Sequence, residues 1–136
     1  MSDSPNTLSI TTAEAFASKF LAAEYDANGT IIKHVAPTIA AGKMFAGIAQ
    51  AAYSSGDRAT VKKFGHSKAI AGGTLTAGTH GPLMADSGAA GRLVPATAGN
   101  WIVAFWHADG DDKADGDEID VFLPGGPIPY ILDTTE

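Results

Sequence analysis

The sequence contains no cysteine among its 136 residues. Disulfide bonds, thiolate metal sites, iron–sulfur clusters and cysteine nucleophiles are therefore all excluded. Positive charge is also scarce, because nine Lys and Arg face fifteen Asp and Glu and the formal net charge is −6. A chain that binds nucleic acid needs a basic surface, so we expect no nucleic-acid partner.

Long apolar runs are missing as well. No run approaches the roughly 18 residues that a membrane-spanning helix requires, and we expect no membrane partner. The first residues, Met-Ser-Asp-Ser-Pro-Asn, have neither the basic region nor the apolar region of a secretory signal.

Small residues are abundant instead. The chain has 25 Ala and 16 Gly, and Thr and Pro are interspersed among them. Ala alone favours helices, but Gly, Thr and Pro interrupt them, so the composition predicts short strands joined by tight turns. Because such a domain has little bulky core per residue, we expect it to oligomerise.

The hydrophobic pattern divides the chain into an N-terminal arm (residues 1–28), a β domain (29–126) and an extended C-terminal tail (127–136). In the arm, the i,i+4 spacing of Phe16 and Phe20 predicts a short helix over residues 12–24. This helix either packs on its own domain or docks on a neighbouring molecule. Because all strand signals follow the turn Asn28-Gly29, we predict that residues 1–24 serve docking more than folding.

The β domain consists of short β-branched or alternating segments. They predict strands at residues 30–35, 45–50, 59–64, 73–75, 81–84, 92–95, 100–107 and 119–123. An internal repeat of about 60 residues relates Phe45-Ala46-Gly47-Ile48-Ala49 and Gly56-Asp57 to Trp101-Ile102-Val103-Ala104-Phe105 and Gly116-Asp117. The repeat predicts two similar hairpins within one small barrel or sandwich.

Two segments are apolar enough to suggest contacts between molecules. The strand at residues 101–106 is apolar on both faces, so it needs a partner on each. The tail is apolar but interrupted by proline, which excludes a central strand and leaves wrapping or reaching across to a neighbour. The resulting candidate contact residues with another protomer or with a larger assembly are Phe16, Phe20, Trp101, Trp106, Ile128, Tyr130 and Ile131.

The sequence offers little catalytic or metal-binding chemistry. The acidic stretch 109–120 resembles a calcium loop, but Lys113 and Phe122 occupy positions where an EF-hand loop requires oxygen ligands. The four histidines lack the spacing of a metal site, and no Gly-x-Ser-x-Gly motif is present. We therefore expect no enzymatic activity, no metal and no cofactor.

The order of several motifs resembles a known family. These motifs are Phe45-Ala46-Gly47-Ile48-Ala49, then Leu75-Thr76-Ala77-Gly78-Thr79-His80-Gly81-Pro82-Leu83, then Asp86-Ser87-Gly88 with Arg92-Leu93-Val94-Pro95, then Gly116-Asp117-Glu118-Ile119-Asp120-Val121. Over roughly residues 29–125 the chain resembles the head-decoration, or capsid cement, proteins of tailed bacteriophages. The resemblance implies a compact β domain of the β-tulip type and trimers on the outer capsid face that brace the joints between major capsid subunits.

The sequence therefore predicts a mainly β structural protein of the virion, made in the host cytoplasm, with itself and the major capsid protein as partners. The alternative is a small β-barrel module that binds a ligand or carbohydrate, with the two Trp as a stacking platform. A hydrolase ranks third. Exposed coplanar Trp rings would favour the binding module, and Trp buried between protomers would favour decoration.

Overall fold

Short β-branched and alternating segments form strands throughout the part of the chain that the structure describes. The computed structural model describes residues 6–26, 28–33, 44–76, 81–86, 88, 90–97, 100–106, 111–126 and 128–129. Within them lie strands β1 (Thr7–Thr11), β2 (Ala22–Tyr25), β3 (Ile31–Lys33), β4 (Phe45–Ala49), β5 (Arg58–Lys62), β6 (Phe64–Ile70), β7 (Gly81–Ala85), β8 (Leu93–Pro95), β9 (Trp101–Ile102), β10 (Ala104–Trp106), β11 (Glu118–Pro124) and β12 (Ile128–Pro129).

The strands form two antiparallel five-stranded sheets and one two-stranded ribbon. The first sheet has the order β1-β5-β4-β2-β3, the second has β6-β11-β10-β7-β8, and β12 pairs with β9. The prediction of a mainly β domain is therefore confirmed. Its barrel form is not, since neither sheet closes on itself within the described residues.

The two sheets repeat one topology. Strands β1 to β5 of the first half correspond in order to β6, β7, β8, β10 and β11 of the second half, because each pair occupies the same place in its sheet. The structure thus extends the predicted repeat of two hairpins to a repeat of two whole sheets.

The turns before β5 and β11 repeat in atomic detail. The Ser54 N–H donates to the Asp57 carboxylate at 2.8 Å, and sixty residues later the Ala114 N–H donates to the Asp117 carboxylate at 2.8 Å. The glycine between them has a φ of +92° in both turns, a conformation that favours glycine. The shared Gly-Asp of the sequence repeat therefore has a structural cause.

The two halves share strands rather than packing as separate units. Along β2, Ala22 packs into the core of the second half and Ala23 into that of the first. Along β4, Phe45 faces the second core and Ala46 the first. Since both faces of β2 and β4 are buried, Ala23 and Ala46 stand where a one-sided strand would carry polar side chains.

The predicted helix over residues 12–24 is wrong. Thr12 bridges Ile31, Phe16 bridges Tyr53, and β2 begins at Ala22, so the segment crosses the first sheet through isolated bridges, bends and a turn. Phe20 has a φ of +67°, which interrupts any helix at that position. Tertiary pairing overrides the helical spacing here, and the predicted domain boundary near residue 29 falls between two paired strands, β2 and β3.

Strands β1, β2 and β12 lie outside the predicted β domain, and the sequence pattern does not predict them. Within that domain most predicted strands are present, with three differences. Residues 64–70 form β6, which the sequence did not predict beyond Phe64. Within 73–75 only Leu75 pairs, through an isolated bridge to Lys113. The long strand predicted at 100–107 is interrupted at Val103, where the chain passes from the ribbon with β12 into the second sheet.

Candidate interaction surface

The structure separates the predicted contact residues by exposure. Phe16 is fully buried in the first core, and Trp106 is 4% exposed in the second. Phe20 and Trp101 are half-buried against these cores. Phe16 and Trp106 are therefore core residues of a single chain and offer no side-chain surface to a neighbour, which corrects their prediction as contacts.

The C-terminal members of the set differ from these. Ile128 is 39% exposed on β12 and stays a candidate contact. Tyr130 and Ile131 lie outside the described residues.

The arrangement of the Trp side chains excludes the stacking platform of a carbohydrate-binding module. Trp106 is almost wholly buried, so its ring face cannot receive a sugar. The indole N–H groups of both Trp101 and Trp106 are buried and have no hydrogen-bond acceptor within the described part of the chain. The exposed, coplanar Trp pair on which that alternative depends is not formed.

An exposed apolar patch lies where the two halves meet. We call Met44, Lys62, Lys63, Phe64 and Phe122 the lysine–phenylalanine patch. Met44 is 52% exposed and Phe64 45% exposed, which makes them the two most exposed large apolar side chains of the described residues. Such exposure is a feature of binding surfaces when it is clustered.

A pocket opens beside this patch. It has a volume of about 260 Å³ and is lined by Tyr25, Met44, Phe45, Ala46, Lys63, Gly125 and Gly126. Phe64 stands over the same loop, since its ring carbon would be 3.3 Å from a Cβ added at Gly125. The two glycines thus leave room that side chains would fill.

The aromatic side chains of the patch, Phe64 and Phe122, lie in the second half. Phe122 packs edge-on against Phe64 at 5.7 Å and against His66 at 5.5 Å between ring centroids. Phe122 and His66 are directly paired across β11 and β6, as Lys62 and Thr7 are across β5 and β1. Lys62 of β5 and Phe122 of β11 therefore occupy equivalent positions of the repeat. This position is polar in the first half and aromatic in the second.

The lysines of the patch are not paired with carboxylates in the described part of the chain. Lys62 and Lys63 have no ion-pair partner among the described residues. The Lys62 side chain lies near Gly65, which separates Phe64 from His66. Its Cε would be 3.9 Å from a Cβ added at Gly65. Two free positive charges beside exposed apolar rings suit a ligand that is both apolar and anionic.

Other described cations are engaged elsewhere. Lys68 donates to Asp120 at 2.8 Å, and this carboxylate raises the pKa of Lys68 above its ordinary value. Ion pairs also join Lys19 to Glu118, Lys33 to Glu14 and Arg92 to Asp115. A second pocket, of about 440 Å³, is lined by Lys33 and Arg92 together with Ala17, Ser18, Leu21 and Ala90. Because both of its cations are paired, it lacks the free charge of the lysine–phenylalanine patch.

The described residues contain no group of His, Asp and Glu that could hold a metal ion. Of the four histidines only His66 lies among them; His34, His80 and His107 do not. No helix of the described chain is long and apolar enough to cross a bilayer. That the chain is not an enzyme and takes no cofactor stays a prediction.

Comparison with known proteins gives a likeness in fold. Neither a protein-family model nor a curated protein matches the sequence. Among solved structures, the chain is similar to the crystal structure of the head fiber gp8.5 N base in bacteriophage phi29, with a TM-score of 0.60. The likeness covers 91% of this chain and 98% of that chain at 16% sequence identity. At this identity the comparison establishes a shared fold.

Proposed function

We propose that this chain is a structural protein of a phage virion, which decorates the outer capsid surface and stabilises it by bridging major capsid subunits. The observation that carries the proposal is the shared fold, because it extends over almost the whole of both chains and the other protein is the base of a phage head fiber. The motif order that resembles capsid cement proteins supports it independently, since those motifs come from the sequence alone.

The lysine–phenylalanine patch supports a role in assembly. Exposed Met44 and Phe64 beside a pocket resemble the apolar centre of a protein interface, and Lys62 and Lys63 resemble its charged rim. The patch offers neither a paired nucleophile and base nor a metal cluster, so its chemistry is that of binding.

Stabilisation would be thermodynamic. A protein that binds the assembled lattice and not its free subunits shifts the equilibrium toward the lattice, by about 2.7 kcal/mol per site at a hundredfold excess over the dissociation constant. Self-association, as a trimer, would multiply this effect through several simultaneous contacts.

Capsid binding tests the proposal directly. Capsids assembled from the major capsid protein of the same phage, without this chain, are titrated with it and sedimented. We expect the chain to co-sediment up to a fixed stoichiometry and to raise the melting temperature of the capsid. A chain that stays in the supernatant at micromolar concentration would contradict the proposal.

A further inference from the structure

We infer that the lysine–phenylalanine patch binds an acidic segment of a partner protein, with a carboxylate in the pocket beside Lys63 and an apolar side chain against Phe64. The inference rests on the proposed function, under which the partner is the major capsid protein. It goes beyond that function by naming the chemistry of the capsid surface that this chain recognises.

Charge favours an anionic partner at this place. The chain has a formal net charge of −6, yet Lys62 and Lys63 are not paired with any carboxylate of the described residues. Among those residues, the lining of the pocket includes Lys63 and no acidic side chain. A local positive surface on an acidic protein attracts an anionic partner and orients it on approach.

The pocket also carries hydrogen-bond donors that suit a carboxylate. Tyr25, Lys63 and Gly126 all line it. Within the described part of the chain, no hydrogen bond engages the Tyr25 hydroxyl, the Lys63 ammonium or the Gly126 N–H. A carboxylate accepts hydrogen bonds from groups of all three kinds, and the bond from an ammonium is the strongest of them.

The size of the pocket indicates a single side chain rather than a whole small molecule. Its volume is about 260 Å³, below the roughly 300–1,000 Å³ of sites for small ligands and cofactors. The exposed side chains of Met44 and Phe64 continue the apolar surface beyond the pocket. A ligand that fills the pocket and also covers this surface is part of a larger molecule.

The apolar surface is already ordered before a partner binds. Phe122 packs edge-on against both Phe64 and His66, with ring centroids 5.7 Å and 5.5 Å away. Because these rings hold one another, docking on Phe64 immobilises little that was free before. Burial of Phe64, which is 45% exposed, then adds apolar contact next to the charged one.

Two lysines are too few for a nucleic acid. Binding to a phosphate backbone depends on several cations, each of which neutralises a phosphate. Other described cations are held in ion pairs, namely Lys19, Lys33, Lys68 and Arg92. A protein segment needs only one or two carboxylates beside an apolar side chain, so it matches the patch.

A matched pair of peptides tests the pocket. The acidic peptide is acetyl-Leu-Phe-Asp-Glu-amide, and its neutral control is acetyl-Leu-Phe-Asn-Gln-amide. In NMR spectra of the full chain, we expect the acidic peptide to shift the backbone amide resonances of Lys63, Gly125 and Gly126 saturably. The neutral peptide should bind roughly tenfold more weakly. Equal affinities, or no saturable shift up to about 10 mM acidic peptide, would overturn the inference.

Single-charge variants locate the contact. Lys63→Gln should weaken binding of the acidic peptide by roughly tenfold, whereas Lys63→Arg should retain it. Lys68→Gln is the matched control, because it removes one charge from an exposed position on β6 outside the patch, and it should leave the affinity unchanged. An equal loss in Lys63→Gln and Lys68→Gln would show that net charge alone attracts the peptide, against the inference.

Two other occupants of the patch have distinct signatures. If the chain covered the patch with its own acidic residues Asp133 and Glu136, the variant Asp133→Asn with Glu136→Gln would bind the acidic peptide more tightly. If a second copy covered the patch, the acidic peptide would lower the mass of the protein in light scattering. Either result would overturn the inference.

Capsid co-sedimentation separates this inference from the proposed function. Lys62→Gln with Lys63→Gln should weaken capsid binding by roughly tenfold or more, while Lys68→Gln should bind as the unaltered chain does. Undiminished binding of the double variant would overturn this inference alone. If the unaltered chain itself stays in the supernatant, the proposed function fails, and the peptide titration still decides whether the patch binds an acidic segment.

Discussion

Gly91 stands so close to Leu21 that a Cβ on the glycine would lie 2.9 Å from the Cβ of the leucine. Gly91 belongs to the second half and Leu21 to the first, and the Ala22 N–H donates to the Gly91 carbonyl at 2.8 Å beside them. The turn before β8 and the residue before β2 therefore approach each other closely at this point.

Gly91→Ala should destabilise the chain through both backbone strain and this contact. Gly91 has a φ of +85°, where an L residue costs about 1–2 kcal/mol. Gly29→Ala is the control, because Gly29 has a φ of +78° but no atom within 4 Å of an added Cβ. Denaturant unfolding should show a larger loss for Gly91→Ala. Equal losses would mean that the contact between the halves contributes nothing.

Phe16→Ala should lower the free energy of unfolding by about 3–5 kcal/mol, because Phe16 is fully buried. Phe64→Ala is the matched substitution at a side chain that is 45% exposed, and it should change stability much less. Denaturant unfolding of both variants measures the difference. A small loss of stability in Phe16→Ala would instead support the prediction that residues 1–24 serve docking more than folding.

Deletion of residues 1–24 should abolish cooperative folding. The sequence pattern predicts the opposite, a folded β domain without its arm, but the deletion removes β1 and most of β2. It would strip one edge of the first sheet and open both cores along β2. Thermal melting followed by circular dichroism decides between the two, and a sharp transition in the truncated chain would contradict the structure.

The sequence predicts those parts of the fold that depend on residues close together in the chain. Gly56-Asp57 and Gly116-Asp117 indicate the repeated turn because a positive φ and a side-chain cap require those residue types. The segment around Phe16 could not be predicted in this way. The i,i+4 spacing of Phe16 and Phe20 places both side chains on one face in a helix and in an extended segment alike. Only the pairing of Phe16 with Tyr53, far along the chain, decides the outcome.

The lysine–phenylalanine patch escaped prediction for a similar reason. Lys62, Lys63 and Phe64 are consecutive, but Met44 and Phe122 reach them only through the sheets. The available signal was the alternation of Phe64, His66 and Lys68, which indicates the exposed face of a strand beginning at Phe64.

Asp57→Ala and Asp117→Ala should have similar effects if the two halves are structural repeats. Each carboxylate accepts one backbone N–H at 2.8 Å in an exposed turn, so each loss should be about 0.5–1.5 kcal/mol. The double variant should lose the sum, because the turns share no contact. Denaturant unfolding of the three variants tests this. Strongly unequal single losses would show that one turn has a further role.

Removal of divalent cations should leave the stability unchanged. In the described part of the acidic stretch, Asp115 is paired with Arg92 at 2.7 Å, Asp117 caps its own turn and Asp120 pairs with Lys68. A calcium ion would have to displace these partners, and Lys113 would place a cation within the loop. We expect EDTA to shift the melting temperature by no more than about 2 °C, well under 1 kcal/mol at this size. A larger fall that added Ca²⁺ reverses would show that the stretch binds the ion, and Asp115→Asn should then abolish the reversal.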